Sequence, residues 1–127
     1  MRKLVIIFIL LSSCFLKGTK NYTKIKFEIL EKNLDNIEYK SNGEFYFKFF
    51  NVGENPLHIE SVDLSCSCLG GEWPKEEINP NDSAYIKIHR DTGRIGEFRE
   101  MIRVHYNGKD SPVTVSLSGN VIYDHTN

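Results

Sequence analysis

The residues of this chain best suited to chemistry are two cysteines separated by one serine, Cys66 and Cys68. Residues two apart in an extended strand lie on one face, with Cα atoms roughly 6.6–6.8 Å apart, at the upper limit for a disulfide. A bend would shorten that separation, and Gly70-Gly71 follow closely. In an oxidising compartment we expect structural cysteines, reduced or disulfide-bonded, with thiol exchange and Cu(I) binding as alternatives.

A metal site at these cysteines would need additional ligands, because a tetrahedral zinc site takes four. His58 and His105 are the histidines that could assist a Cu(I) ion if they folded nearby. None of the four histidines is spaced from another as a ligand pair, and three lie opposite apolar positions, which predicts surface histidines. No Cys-x-x-Cys motif is present. We therefore predict no bound cofactor and no metal.

The sequence offers one motif that resembles an enzyme, Asp91-Thr92-Gly93. Aspartic proteases need two facing carboxylates that share a proton, and this chain has a single copy. Arg90 also replaces the apolar residue that such a loop needs before it. The segment is therefore predicted to be a turn after a strand. No nucleophile elbow, phosphate-binding loop or metalloprotease helix occurs, so we expect a protein that is not an enzyme.

The N-terminus predicts export and lipidation. Met1-Arg2-Lys3 precede eight apolar residues, too few for a membrane span of roughly 20 but suited to a signal peptide. Leu11-Ser12-Ser13-Cys14 resembles the bacterial lipoprotein box, in which the cysteine receives acyl chains such as palmitate. Two or more chains anchor a protein stably. We expect a signal peptide over residues 1–13, a lipidated Cys14, a tether over residues 14–22, and a position in the bacterial envelope, on its periplasmic or surface side.

The segments that must position the cysteines are predicted to be strands. Apolar and polar residues alternate with a period of two, as in Ile25, Phe27 and Ile29 or in Phe45, Phe47 and Phe49. Proline and paired glycines make a central strand improbable between Gly70 and Ile78, and Asn107-Gly108 predicts a tight hairpin. We predict an all-β, immunoglobulin-like antiparallel β-sandwich of about seven strands over residues 23–127. The predicted strands lie near residues 25–29, 45–50, 57–64, 84–88, 98–106 and 113–121.

Composition limits the class of partner. The 127 residues include 16 Lys+Arg and 17 Asp+Glu, for a net charge of −1, with room for one domain. Basic residues cluster only near the start, and no long basic stripe exists to neutralise phosphates. We therefore expect no nucleic-acid binding.

An ordered set of short motifs extends over roughly residues 40–122. It comprises Phe47-Lys48-Phe49-Phe50-Asn51-Val52-Gly53, Pro56-Leu57-His58-Ile59, Ser65-Cys66-Ser67-Cys68, Ile78-Asn79-Pro80-Asn81-Asp82-Ser83, Gly96-Glu97-Phe98 and Leu117-Ser118-Gly119-Asn120-Val121. This set resembles a family of secreted and lipidated bacterial proteins, common in the Bacteroidetes, called domain of unknown function 1573. The resemblance implies an immunoglobulin-like fold and no known reaction. Ser67 and Asn81 stand where the family prefers glycine, and asparagine is able to occupy a left-handed turn position.

Two functions follow as hypotheses. The first is a lipid-anchored envelope module that binds or scaffolds another protein through a sheet edge or surface aromatic residues. The candidate contacts are aromatic residues off the predicted core face, namely Tyr46, Phe50, Trp73 and Tyr85. The second is a thiol redox or copper carrier that uses Cys66 and Cys68.

Overall fold

The computed structural model describes residues 21–125. Cys14, the predicted signal peptide and most of the predicted tether lie outside that range. The described chain forms eight strands, β1 (Ile25–Phe27), β2 (Glu31–Glu38), β3 (Glu44–Asn51), β4 (Ile59–Leu64), β5 (Leu69–Glu72), β6 (Ser83–Arg90), β7 (Gly96–Tyr106) and β8 (Val113–Ile122). In residues 21–125 we find no helix long and apolar enough to cross a membrane.

The strands form two four-stranded sheets. The first sheet has the order β1-β3-β6-β5, and the second has the order β2-β8-β7-β4. Neighbouring strands run antiparallel, except that β2 runs parallel to β8. The predicted all-β sandwich is confirmed, with eight strands instead of about seven and with one parallel pairing that the sequence did not predict.

A single apolar core lies between the sheets. In both sheets the buried side chains recur at every second residue, as the alternation predicts. Phe47, Phe49, Ile86 and Ile88 of the first sheet are fully buried together with side chains of the second sheet. Those side chains of β7 and β8 are Ile102, Val104, Val115 and Leu117.

Strand β2 was not predicted because its apolar and polar residues do not alternate regularly. Its apolar residues, Leu34 and Ile37, are three apart, since the register shifts between Asn33 and Asn36. Asp35 lies in this bulge with a φ of 53°. An extra residue in a bulged strand moves the following side chains to the opposite face, which hides the period of two.

Two further strands differ from the predicted set. Gly70-Gly71 lie in β5, which was not among the predicted strands; β5 is an edge strand, in agreement with the prediction that no central strand occurs there. At the other end, β1 stops at Phe27, so Ile29 is 42% exposed instead of sharing the buried face. The turn at Asn107-Gly108 is also longer than a tight hairpin, because residues 107–112 connect β7 to β8.

The first described residues are tied to one end of the sandwich. Asn107 donates from Nδ2 to the Asn21 carbonyl over 3.1 Å and accepts a backbone hydrogen bond from Thr23 over 3.0 Å. Asn55 Nδ2 donates to the Tyr22 carbonyl over 2.8 Å. The chain therefore enters the domain beside the loops that contain Asn55 and Asn107.

Candidate functional site at the Cys66–Cys68 disulfide

The two cysteines lie in the connection between β4 and β5, where the chain passes from the second sheet to the first. They are joined by a disulfide, with a Cα–Cα separation of 5.1 Å. This separation is shorter than in an extended strand, because the chain bends here: the Leu69 N–H donates to the Cys66 carbonyl over 3.2 Å. The structure therefore joins the cysteines at a turn.

Backbone and side-chain hydrogen bonds hold this turn on both sides. Ser65 N–H donates to the Met101 carbonyl over 3.1 Å, and Met101 N–H donates back to Ser65 Oγ over 3.0 Å. Asp91 N–H donates to the Cys68 carbonyl over 3.0 Å. The turn is thus attached to β7 before the disulfide and to the end of β6 after it.

A charged pair lies beside the disulfide. Arg90 ends β6 and Glu100 lies in β7, and their Nη1 and Oε1 atoms are 2.8 Å apart. The Arg90 side chain is 8% exposed and the Glu100 side chain is 14% exposed. Ser65 Oγ donates to Glu100 Oε2 over 2.8 Å, and the Phe98 ring centroid is 3.7 Å from the guanidinium carbon. The pair connects the two sheets ionically.

Both charged groups contact the same sulfur atom. Arg90 Nη1 lies 3.4 Å from Cys68 Sγ, and Glu100 Oε1 lies 3.7 Å from it. A disulfide sulfur carries no hydrogen, so the carboxylate contact becomes a hydrogen bond only when Cys68 is a thiol. Cys66 Sγ accepts from the Cys68 N–H over 3.0 Å. Each sulfur therefore has a hydrogen-bond donor within reach.

Arg90 and Glu100 were not predicted as site residues, although the alternation assigns both to the inward face. Arg90 follows Ile86 and Ile88 at the same spacing of two, which assigns it to the inward face. Glu100 follows Phe98 and precedes Ile102 in the same way. Opposite charges at inward positions of two strands predict a buried pair, because an isolated buried charge is too costly.

The arrangement does not form a metal site while the sulfurs are bonded. Possible ligand atoms of Cys66, Cys68 and Glu100 lie within 4.8 Å of one another, but a disulfide offers no thiolate. Within residues 21–125 neither His58 nor His105 joins this group. His105 Nε2 instead lies 2.7 Å from Asp63 Oδ2. The two histidines considered as copper ligands are therefore not brought to the cysteines.

Three of the four aromatic candidates lie together on the outer face of the first sheet. Tyr46 and Tyr85 are 48% and 51% exposed, and their rings contact edge to face with centroids 6.2 Å apart. Phe50 is half-buried on the same face, with Lys48 Nζ 5.3 Å from its ring centroid. Trp73 is separate: its half-buried ring packs against the core, and Lys75 Nζ lies 3.6 Å from the ring centroid.

The Asp91-Thr92-Gly93 segment is a turn that follows β6. Asp91 Oδ1 accepts a hydrogen bond from its own chain, from the Gly93 N–H, over 2.8 Å. Thr92 is buried and donates from Oγ1 to the Ser41 carbonyl over 2.7 Å. These bonds hold the segment in its turn.

A family model described as a protein of unknown function, DUF1573, matches residues 25–121. The chain belongs to the DUF1573 family. The match includes the whole sandwich except its last strand residue and covers the disulfide and the Arg90–Glu100 pair. Asn81, at a glycine position of the family, has a φ of 69° and so occupies the left-handed conformation. Ser67 is not among the positive-φ residues of the described range, so its turn does not need glycine.

Solved structures share the fold of this DUF1573 chain. A protein of unknown function from Porphyromonas gingivalis W83 is 16% identical with a TM-score of 0.68, over 78% of this chain and 47% of that protein. The PapD-like domain 7 of human CEP192 is 12% identical with a TM-score of 0.64, over 82% and 89%. The periplasmic chaperone SfaE is 7% identical with a TM-score of 0.58, over 80% and 61%.

These likenesses show the fold alone, a sandwich of the PapD-like and immunoglobulin-like type. The chain spans about half the length of the Porphyromonas gingivalis protein. No curated protein matches the chain.

Proposed function

We propose that this DUF1573 chain is a non-enzymatic binding module of the bacterial envelope, held at the membrane by a lipid on Cys14. Its partner is a protein that contacts the outer face of the first sheet. The observation that carries the proposal is the exposed pair Tyr46 and Tyr85, whose rings contact each other across β3 and β6. Tyrosines supply large, rigid contact areas and are enriched among the residues that dominate protein interfaces.

The lysines on the Tyr85 side of this pair favour an acidic segment of the partner, whereas Lys87 beside Tyr46 is already paired with Glu44 and Glu72. Lys48 Nζ lies 5.8 Å from the Tyr85 ring centroid, and Lys26 pairs in register with Phe50 on the adjacent strand. Neither lysine forms an ion pair with a carboxylate in the described part of the chain. A partner segment that combines apolar side chains with Asp or Glu would be complementary to this surface.

The structural relatives support a binding role for a fold of this kind. SfaE is a periplasmic chaperone, and chaperones act by contacting other proteins. Its likeness concerns the fold, so the partner and the contact surface are inferred here from Tyr46, Tyr85 and their lysine neighbours.

The binding surface is tested by placing a photo-crosslinking amino acid at Tyr46 in the full chain, expressed in its native membranes. We expect one recurrent protein adduct, lost or strongly reduced when Tyr85→Ala is added. The matched control places the crosslinker at Met101, which is 40% exposed on the second sheet. An adduct that forms equally from Met101, or that survives Tyr85→Ala unchanged, contradicts the proposal.

The anchor is tested separately. Cys14→Ala should leave the signal uncleaved at this site and remove the acyl mass from the extracted protein. A mass that changes only by the loss of the cysteine sulfur, with an unchanged membrane fraction, would show that Cys14 is not lipidated. Because this variant leaves Tyr46 and Tyr85 intact, it separates anchoring from partner binding.

A further inference from the structure

The contacts around Cys68 carry an inference that goes beyond partner binding. We infer that Cys66–Cys68 is a thiol–disulfide exchange site that accepts two electrons from a dithiol, with Cys68 as the leaving sulfur. Arg90 Nη1 lies 3.4 Å from Cys68 Sγ in the disulfide form. The guanidinium is held there by Glu100 and by the Phe98 ring, so it is in place before the bond breaks.

A cation at this position favours cleavage in one direction. A disulfide breaks when a thiolate attacks one sulfur and the other leaves as a thiolate, and a more stable leaving thiolate leaves faster. Arg90 contacts Cys68 Sγ and would stabilise a negative charge on it. Arg90 Nε is buried without a hydrogen-bond partner among the described residues, so Glu100 does not satisfy all of the guanidinium. Cys66 is then the sulfur under attack.

The exchange is balanced in two steps. A thiolate of the external dithiol attacks Cys66 Sγ, a mixed disulfide forms, and Cys68 leaves as a thiolate beside Arg90. The second thiol of the dithiol then loses its proton and attacks the first dithiol sulfur, which is bonded to Cys66 in the mixed disulfide. Cys66 is released as a thiolate. The dithiol is oxidised to a disulfide by two electrons, and its two protons end on Cys66 and Cys68.

Neighbouring groups provide for both sulfurs after reduction. The Cys68 N–H, 3.0 Å from Cys66 Sγ, donates to the sulfur released in the second step. Glu100 Oε1, 3.7 Å from Cys68 Sγ, accepts the hydrogen of the Cys68 thiol once that thiol is protonated. Glu100 therefore holds Arg90 in place and accepts a hydrogen bond from the Cys68 thiol. Its negative charge disfavours the Cys68 thiolate.

The site is accessible and its backbone does not depend on the sulfur bond. Cys66 and Cys68 are half-buried, and Ser65 and Ser67 beside them are exposed. Apart from the contacts of Arg90 and Glu100 with Cys68 Sγ, the hydrogen bonds that attach the turn to the two sheets involve Ser65, Asp91 and Met101 and use no sulfur atom. Reduction therefore leaves the turn attached to both sheets.

The test measures the rate at which dithiothreitol reduces the purified full chain, by alkylation and intact mass. Glu100→Gln retains the Arg90 cation, and Arg90→Gln with Glu100→Gln removes it. We expect Glu100→Gln to be reduced faster than the unmodified chain and the double variant to be about tenfold slower than Glu100→Gln. Lys87→Gln, which breaks an ion pair with Glu44 away from the sulfurs, is the control and should match the unmodified chain.

A purely structural role for Arg90 predicts rates that follow stability, because Glu100→Gln leaves a buried charge without compensation and so loosens the turn. The urea midpoints of both variants are therefore measured beside the rates. A double variant reduced at least as fast as Glu100→Gln, or rates that simply follow the midpoints, overturns the inference. Site-resolved alkylation of the reduced, folded chain across pH is the second measurement. Cys68 should become reactive at lower pH than Cys66; the reverse order also overturns the inference.

Discussion

Arg90 Nη1 lies 2.8 Å from Glu100 Oε1, so an ion pair joins the inward faces of two sheets whose shared core is mainly apolar. Removal of one partner from a buried pair leaves the other charge without compensation. Glu100→Ala should therefore lower the free energy of unfolding by about 3–5 kcal/mol, measured by urea denaturation.

Arg99→Ala is the matched control for this prediction. Arg99 precedes Glu100 in β7 and pairs with Glu31 over 3.5 Å, but both side chains are largely exposed. Its loss should cost less than about 1 kcal/mol. Equal urea midpoints for the two variants would contradict the assignment of Arg90–Glu100 as a buried structural pair.

A second prediction concerns Asn51, which is fully buried and uses its whole side-chain amide. Its Nδ2 donates to the Asn55 and Ile78 carbonyls, over 2.8 and 2.9 Å. Its Oδ1 accepts from Thr23 Oγ1 and from the Gly53 N–H. Asn51→Asp replaces the donor with an oxygen that faces two carbonyls, and we expect a loss of about 3 kcal/mol in urea denaturation.

The same exchange at a partly exposed amide provides the comparison. Asn120 Nδ2 donates to Asn36 Oδ1 over 3.3 Å at the surface. Asn120→Asp should change the free energy of unfolding by less than about 1 kcal/mol. A similar loss at both positions would show that the Asn51 amide is not specially important.

Tyr106 yields a prediction at alkaline pH. Burial, followed by the hydrogen bond that its hydroxyl donates to Asp110, raises the Tyr106 pKa from 10.0 to about 12. The folded chain therefore retains a proton that the unfolded chain releases. The stability contributed by this group is complete below pH 10 and is lost as the pH rises towards 12.

Two measurements check the Tyr106 prediction. The ultraviolet titration of phenolate should contain a late step that Tyr106→Phe removes. The fall in urea midpoint between pH 10 and about 12 should be shallower in Tyr106→Phe. An identical titration curve for the variant would exclude a raised pKa for Tyr106.

The disulfide itself should contribute little to stability. It closes a loop between residues only two apart in sequence, so it restricts the unfolded chain slightly. Cys66→Ser with Cys68→Ser should cost no more than about 2 kcal/mol in urea denaturation. Circular dichroism of the reduced chain should retain its β spectrum; unfolding on reduction would contradict this prediction.

The alternation of apolar residues sufficed to predict the core strands and failed where the backbone departs from regularity. Phe47 and Phe49 are buried as expected, since β3 pairs without a bulge in the centre of its sheet. The bulge at Asp35 conceals β2, and glycines conceal β5 because they carry no side chain to alternate. The parallel pairing of β2 with β8 joins segments distant in sequence, which no local pattern specifies.

The site was predictable only in part for a related reason. Cys66 and Cys68 are close in sequence, so their spacing was enough to give a disulfide between them as one of the expected states. Arg90 and Glu100 come from different sheets, and their meeting at Cys68 depends on how those sheets are stacked. The aromatic candidates separated in the same way: register brings Tyr46 beside Tyr85, whereas Trp73 packs against the core.

The chain enters the sandwich beside Asn107, at one end of the strands, so the two ends of the domain differ. Ile25 pairs with Asn51 at one end of β3, whereas Leu69, next to the disulfide, pairs with Arg90 near the other end. At roughly 3.3 Å per residue, the eight residues of β3 separate these ends by about 25 Å. With a lipid on Cys14, as proposed, the chain would enter the domain beside Asn107, and the sulfur atoms would lie towards the end of the first sheet that is farther from that entry.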